Sequence, residues 1–198
     1  MKPASETRNR ILTVAYGLFY RQGFARVGVD AIAEAVGITK RTLYNHFDSK
    51  DTLAAAVLER QQAHALAQIK GWARADAPTA AAFLSSLFES LEAWAEQPRW
   101  LGSGYTRLTM ELADRPGHPA RQAAQRHKAA VEHWLAEEMT RLGAEEPAEL
   151  ARQVMLLVEG CLSLMLIHGD RSYAPSAARA ALRLAATKPT ASAPSDGC

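Results

Sequence analysis

A chain of 198 residues, 48% hydrophobic and 22% charged, carries enough apolar side chains for a sizeable core and falls outside the disordered and fibrous classes. Two cysteines exclude a disulfide scaffold, and an aromatic content of 7% with long stretches free of Gly and Pro favours helices over sheets. The net charge of +2 is unevenly spread, with eight Lys/Arg against four Asp/Glu in residues 1–50 and 15 against 17 in the remainder, so a basic head precedes a slightly acidic body.

In chain order, the apolar periodicity predicts nine helices and no strand. Helix 1 runs from about Pro3 to Gln22, with Ile11, Leu12, Ala15, Leu18 and Phe19 on one face and Gly23 just beyond. Helix 2 is short, about Val29 to Val36, and Gly37 ends it. Thr39 caps helix 3, about Lys40 to His46, and Ser49 caps helix 4, about Lys50 to Arg74. Pro78 opens helix 5, helix 6 covers about Ser103 to Ala113, and helix 7 about Pro119 to Leu142. Pro147 opens helix 8, which reaches His168, and helix 9 spans about Pro175 to Ala186. The tail 188–198, rich in Pro, Ser and Ala, reads as disordered.

The N-terminus lacks the apolar run of a signal peptide. The most apolar stretch, Val154 to Ile167, contains Glu159 and is too short to cross a bilayer, so a soluble cytoplasmic protein with no membrane partner is expected. Cys161 lies in that apolar stretch and reads as packing. The histidines fall on several helices with no HxxxH or HExxH pair, so no metal and no cofactor is expected. There is no nucleophile elbow, phosphate-binding Gly loop or paired carboxylate motif, which argues against an enzyme.

The segment from Val29 to Phe47 carries the functional reading. Two short helices meet at Gly37. Ile32, Ala33, Ile38, Leu43 and Phe47 supply their inner faces, which leaves Lys40, Arg41, Thr42, Tyr44, Asn45 and His46 facing outward from helix 3. This is a helix-turn-helix, whose second helix enters the major groove of DNA. Lys40, Arg41 and Lys50 suit phosphates; Arg41 also suits guanine, and Asn45 suits adenine. Thr42, Tyr44 and His46 offer neutral donors, and the Thr39 cap stands at the helix start. The expected DNA-facing set is therefore Thr39, Lys40, Arg41, Thr42, Tyr44, Asn45, His46 and Lys50.

Residues 8–53 resemble the DNA-binding domain of the TetR family. The resemblance rests on Gly23-Phe24, on the run from Ile32 to Thr39, on Thr42-Leu43-Tyr44-Asn45-His46-Phe47 and on Ser49-Lys50-Asp51-Thr52-Leu53. It implies operator contacts from Lys40, Arg41, Thr42, Tyr44, His46 and Lys50, a homodimer, and release from DNA when a ligand binds the larger domain. One departure stands out: many relatives carry Thr or Ser where this chain has Val27 and Gly28, so a hydroxyl contact with phosphate is missing there. The stretches Glu111-Leu112-Ala113 and His118-Pro119-Ala120 are similar, more loosely, to the C-terminal domain of one subgroup.

The expected organisation is an all-α chain with a helix-turn-helix head at 1–49 and a helical ligand-binding and dimerisation domain at 50–187. Phe88, Trp94, Tyr105, Met110, Trp134 and Met165 are expected to border a cavity for an uncharged or aromatic effector. Val154, Leu157, Val158, Cys161, Leu164 and Met165 of helix 8 form a stripe too wide for one packing face. With Ala178, Ala181, Leu182 and Ala185 of helix 9, they point to a homodimer through helices 8 and 9. The function expected is that of a ligand-responsive repressor that binds a palindromic operator.

Overall fold

The structure, a computed structural model, describes residues 4–186. Nine helices and no strand occur among the described residues: α1 (Ala4–Gln22), α2 (Val29–Val36), α3 (Lys40–Tyr44), α4 (Lys50–Trp72), α5 (Ala80–Ala95), α6 (Gly104–Met110), α7 (Pro119–Arg141), α8 (Pro147–His168) and α9 (Tyr173–Ala186). The expected disordered tail at 188–198 lies outside the described residues.

Local chemistry sets most helix ends. Thr39, Thr79 and Ser103 each stand just before a helix in extended backbone, and their side chains accept from the otherwise free amide of the third residue of α3, α5 and α6. Ser49 and Thr52 form a reciprocal pair at the start of α4. The Thr52 amide donates to Ser49 Oγ at 3.1 Å, and the Ser49 amide donates to Thr52 Oγ1 at 3.0 Å. Several ends differ from those read off the sequence. Helix 3 stops at Tyr44, which leaves Asn45 and His46 in the following turn; helix 6 stops at Met110; helix 5 begins after the Thr79 cap instead of at Pro78. Helix 9 begins at Tyr173, because Asp170 accepts from the Ser172 amide and organises the turn before it.

The chain folds into two compact units. The first holds the described residues up to Lys70 together with Gln97–Val131; the second holds Gly71–Glu96 together with the described residues from Glu132 on. The first unit therefore recruits α6 and the start of α7 to the helix-turn-helix segment. Its core joins Ile11, Leu12, Ala15, Phe19, Ile32, Val36, Leu43 and Phe47 to Leu53, Val57, Leu58, Leu108 and Leu112.

In the second unit, α9 packs on α5 and α8. Burial there corrects the stripe expected for dimerisation. Val154, Cys161, Met165 and Ala181 are buried within the chain, so they fill its own core, and burial pushes the Cys161 thiol up to about 11. The apolar side chains left outside α8 are Leu156, Leu164, Leu166 and Ile167. The 22-residue α8 also includes a window of mean hydropathy 1.7, apolar and long enough to cross a membrane by composition alone. Its inner face is used as core.

Candidate nucleic-acid interface

The helix-turn-helix is built around Gly37. Its φ of 74° lies in the left-handed region, and the amides of Gly37 and Ile38 donate back to the carbonyls of Glu34 and Ala33 at 2.9 and 3.0 Å. That closure ends α2 sharply, at a position where a side chain would be strained. Two residues later the Thr39 hydroxyl accepts from the Thr42 amide at 3.1 Å and lies 2.8 Å from the Thr42 hydroxyl. Thr39 and Thr42 thus spend hydrogen-bonding capacity on shaping α3.

With Leu43 fully buried, α3 can present only its opposite side. Lys40, Arg41, Tyr44 and Asn45 are exposed, while Thr42, His46 and Lys50 are half-buried. Tyr44 keeps 41% of its surface in water, unusual for so large an aromatic side chain. Lys50 lies over the Phe24 ring, its Nζ 4.2 Å from the centroid and 3.5 Å from the Ala25 carbonyl oxygen. Burial lowers the Lys50 pKa from its ordinary value. Lys40 Nζ donates to Asp30 Oδ2 at 3.0 Å, and that hydrogen bond raises its pKa. Arg8 stacks its guanidinium over Phe47 at 4.8 Å, adding a cation beside the turn that follows α3.

A set of polar contacts from α6 and the turn after it braces this surface. Glu111 accepts from the backbone amides of Phe24 and Ala25, at 3.1 and 2.8 Å, in the loop between α1 and α2. Gly23, at φ 90°, makes room for it: a Cβ there would stand 3.1 Å from Glu111 Oε1. At the start of α4, Asp51 accepts from Arg115 and lies 3.1 Å from Nε2 of the buried His118. His118 Nδ1 accepts from the Ala120 amide at 3.1 Å, which turns the Nε2 edge of the ring towards Asp51.

The sequence reading missed Glu111, Arg115 and His118 as supports. The only signal was that Glu111 and His118 stand in the two stretches that resemble a subgroup's C-terminal domain. Burial alone would raise the Asp51 pKa, but hydrogen bonds from Arg115 and His118 outweigh it and hold the carboxyl below its ordinary value of 3.8. The resulting stabilisation is complete above that ordinary value and is lost as pH falls through the lower, folded one. Asp51→Asn should therefore melt at a lower temperature than the parent chain near neutrality. In circular-dichroism melts carried down to about pH 2 the gap should close; a gap independent of pH would show that the Asp51 charge contributes nothing.

The six residues expected to border an effector cavity divide between the two units. Tyr105 is in the first, where its hydroxyl donates to the Leu58 carbonyl at 2.8 Å and its ring stacks on His127 at 3.9 Å. Met110, also in the first, is 70% exposed. Phe88, Trp94, Trp134 and Met165 are in the second unit. Phe88, Trp134 and Met165 are buried, Trp134 lies against Phe83 at 5.7 Å, and Trp94 lies against Trp72 at 5.2 Å. A cleft in the first unit, lined by Tyr16, Tyr20, Leu58, Gly104, Arg107 and Leu108, holds about 10 Å³ of free space. That is room for about one water and far below the ~300 Å³ of a small-molecule site.

Residues 11–57 match the family described as bacterial regulatory proteins, tetR family. The HTH-type transcriptional regulator YjdC of Escherichia coli (strain K12) is 29% identical over 178 residues, an alignment that spans 88% of this chain and 91% of YjdC. Among solved structures, the tetR transcriptional regulator sav143 of Streptomyces avermitilis superposes with a TM-score of 0.76. It is 32% identical over 88% of this chain and 97% of its own. SCO4454 of Streptomyces coelicolor, a TetR-family transcriptional regulator, shares the fold with a TM-score of 0.79 at 24% identity, over 92% of this chain and 97% of that one.

Proposed function

The chain belongs to the tetR family of bacterial regulatory proteins and is a DNA-binding transcriptional regulator; on that footing we propose that it is a repressor, binding a palindromic operator as a homodimer and released by a small-molecule effector. The observation that carries this reading is the division of α3 and the turn after it into a buried side at Leu43 and an exposed side bearing Arg41, Tyr44 and Asn45. Such a face supplies the three contact types a major groove rewards: a guanidinium for guanine or phosphate, an amide for adenine, and a phenolic donor for phosphate. Thr39, Lys40, Thr42, His46 and Lys50 complete the proposed contact set from the helix cap, its first turn, the turn that follows α3 and the start of α4.

A two-fold dimer would present two such helices to successive major grooves about 34–36 Å apart, which is why the operator should be close to palindromic. The exposed apolar side chains of α8, together with Leu184 of α9, support a partner copy there. The continuous helix α4, from Lys50 to Trp72, supports a lever: an effector bound in the helical body would displace it and change the separation of the two recognition helices. A coupling of ~1–3 kcal/mol is enough for release, and DNA must weaken effector binding by the same factor.

Tyr44→Ala tests the interface. It should weaken binding to all duplexes about tenfold in fluorescence anisotropy, in line with losing one hydrogen bond to a charged group, while the melting temperature stays unchanged. A large drop in melting temperature would make Tyr44 a packing residue. Unchanged DNA affinity would move the interface away from α3.

A further inference from the structure

Within the head, one cation of the recognition helix is already matched by an anion. Lys40 is the first residue of α3, and Asp30 stands in the first turn of α2; their side chains meet at 3.0 Å. Both are open to water, with 50% of the Lys40 side chain and 75% of the Asp30 side chain exposed, so burial does not hold the pair together. The contact joins the N-terminal turns of two helices, whose dipoles both favour a negative group. A phosphate is one such group; Asp30 supplies another from within the protein. Gly28, the cap of α2, offers no side chain to these turns, and Lys40 is the cation bonded to Asp30.

We propose that Asp30 is a specificity determinant that neutralises Lys40 in the free protein and so holds down binding to arbitrary DNA. The proposal rests on α3 being the DNA-binding helix. A lysine bonded to a carboxylate presents no net charge to a phosphate, so on non-cognate DNA it displaces no counterion unless the pair breaks. An ionised carboxylate only accepts hydrogen bonds. Opposite the exocyclic amine of cytosine it gains a donor of its own and releases Lys40 to the backbone; opposite an acceptor edge it gains nothing. The pair thus turns a sequence-blind phosphate contact into one that depends on the base beside it.

The test is a salt titration of binding to a random-sequence duplex of about 30 bp between ~50 and ~200 mM KCl. It compares the full-length protein with Asp30→Asn, Lys40→Met and the double variant. Because both side chains are exposed, all four should melt alike. Asp30→Asn should steepen the slope of log K against log [salt] by about 0.9 per bound head and raise affinity about eightfold at ~0.1 M salt. In the Lys40→Met background the same substitution should gain no more than about twofold. An equal gain in both backgrounds, or an unchanged slope, would overturn the proposal, since Asp30 would then act only through long-range charge. Absence of duplex binding in all four proteins would overturn the DNA-binding reading of α3 and the proposal with it.

Discussion

Replacing Leu156 and Ile167 together by glutamate is expected to leave a folded protein that sediments as a monomer and binds operator DNA about 10²–10⁴-fold more weakly. The two side chains are 70% and 72% exposed although α8 is otherwise an apolar helix. Leu156, Gly160, Leu164 and Ile167 succeed one another at helical spacing and all face solvent within one chain. In the dimer proposed above, an apolar face of this kind would serve as a self-complementary interface, the same residues meeting across the two-fold axis. Four glutamates brought together there would have to be desolvated without partners, a cost of several kcal/mol per charge. The fold itself should survive, because Val154, Cys161 and Met165 hold the inner side of α8. The affinity loss follows from avidity, since each monomer then binds its half-site alone. A double variant that still sediments as a dimer would place the subunit interface elsewhere.

Leu43→Ala is expected to cost about 2–5 kcal/mol and to abolish operator binding by loosening the head. Leu43 is the buried anchor of a five-residue helix, far below the length at which a helix persists alone in water. What holds α3 is its packing against the core that includes Leu12, Ile32 and Val36, together with the Thr39 cap. Leu43→Met, which keeps the volume, should cost less than about 1.5 kcal/mol and retain DNA binding. A thermal melt of both variants beside an anisotropy titration separates the cases. If Leu43→Ala melted with the parent chain, the exposed face of α3 would owe its orientation to the cap alone.

The helix-turn-helix was legible in the sequence because its determinants are local. The spacing of Ile32, Ala33 and Val36, the glycine at position 37 and the Thr39 cap act within one another's reach, so a linear reading finds them. The end of α3 was not legible. Asn45 and His46 fit a helical pattern, and the Asn45 amide still donates four residues back to Arg41, but the His46 amide turns back only three residues to Leu43 as the chain leaves the helix for Phe47. The braces on the head were also hidden, because Glu111 meets Phe24 across 87 residues of chain and Arg115 meets Asp51 across 64. Periodicity carries no information about such pairs. For α8 it showed that the apolar stripe was too wide for one partner but could not divide it. Only the packing of α5 and α9 assigns Val154, Cys161 and Met165 inward and leaves Leu156 and Ile167 outward. Nor could the sequence match Lys40 to Asp30, ten residues away on another helix.

The most direct test of the central claim is fluorescence anisotropy of the purified protein with the DNA upstream of its own gene, at fixed salt, against scrambled competitor. Tight binding that survives the competitor is the result expected of a sequence-specific regulator whose α3 reads bases. Binding that the competitor abolishes would contradict it, because the head would then be gripping phosphate without reading the sequence.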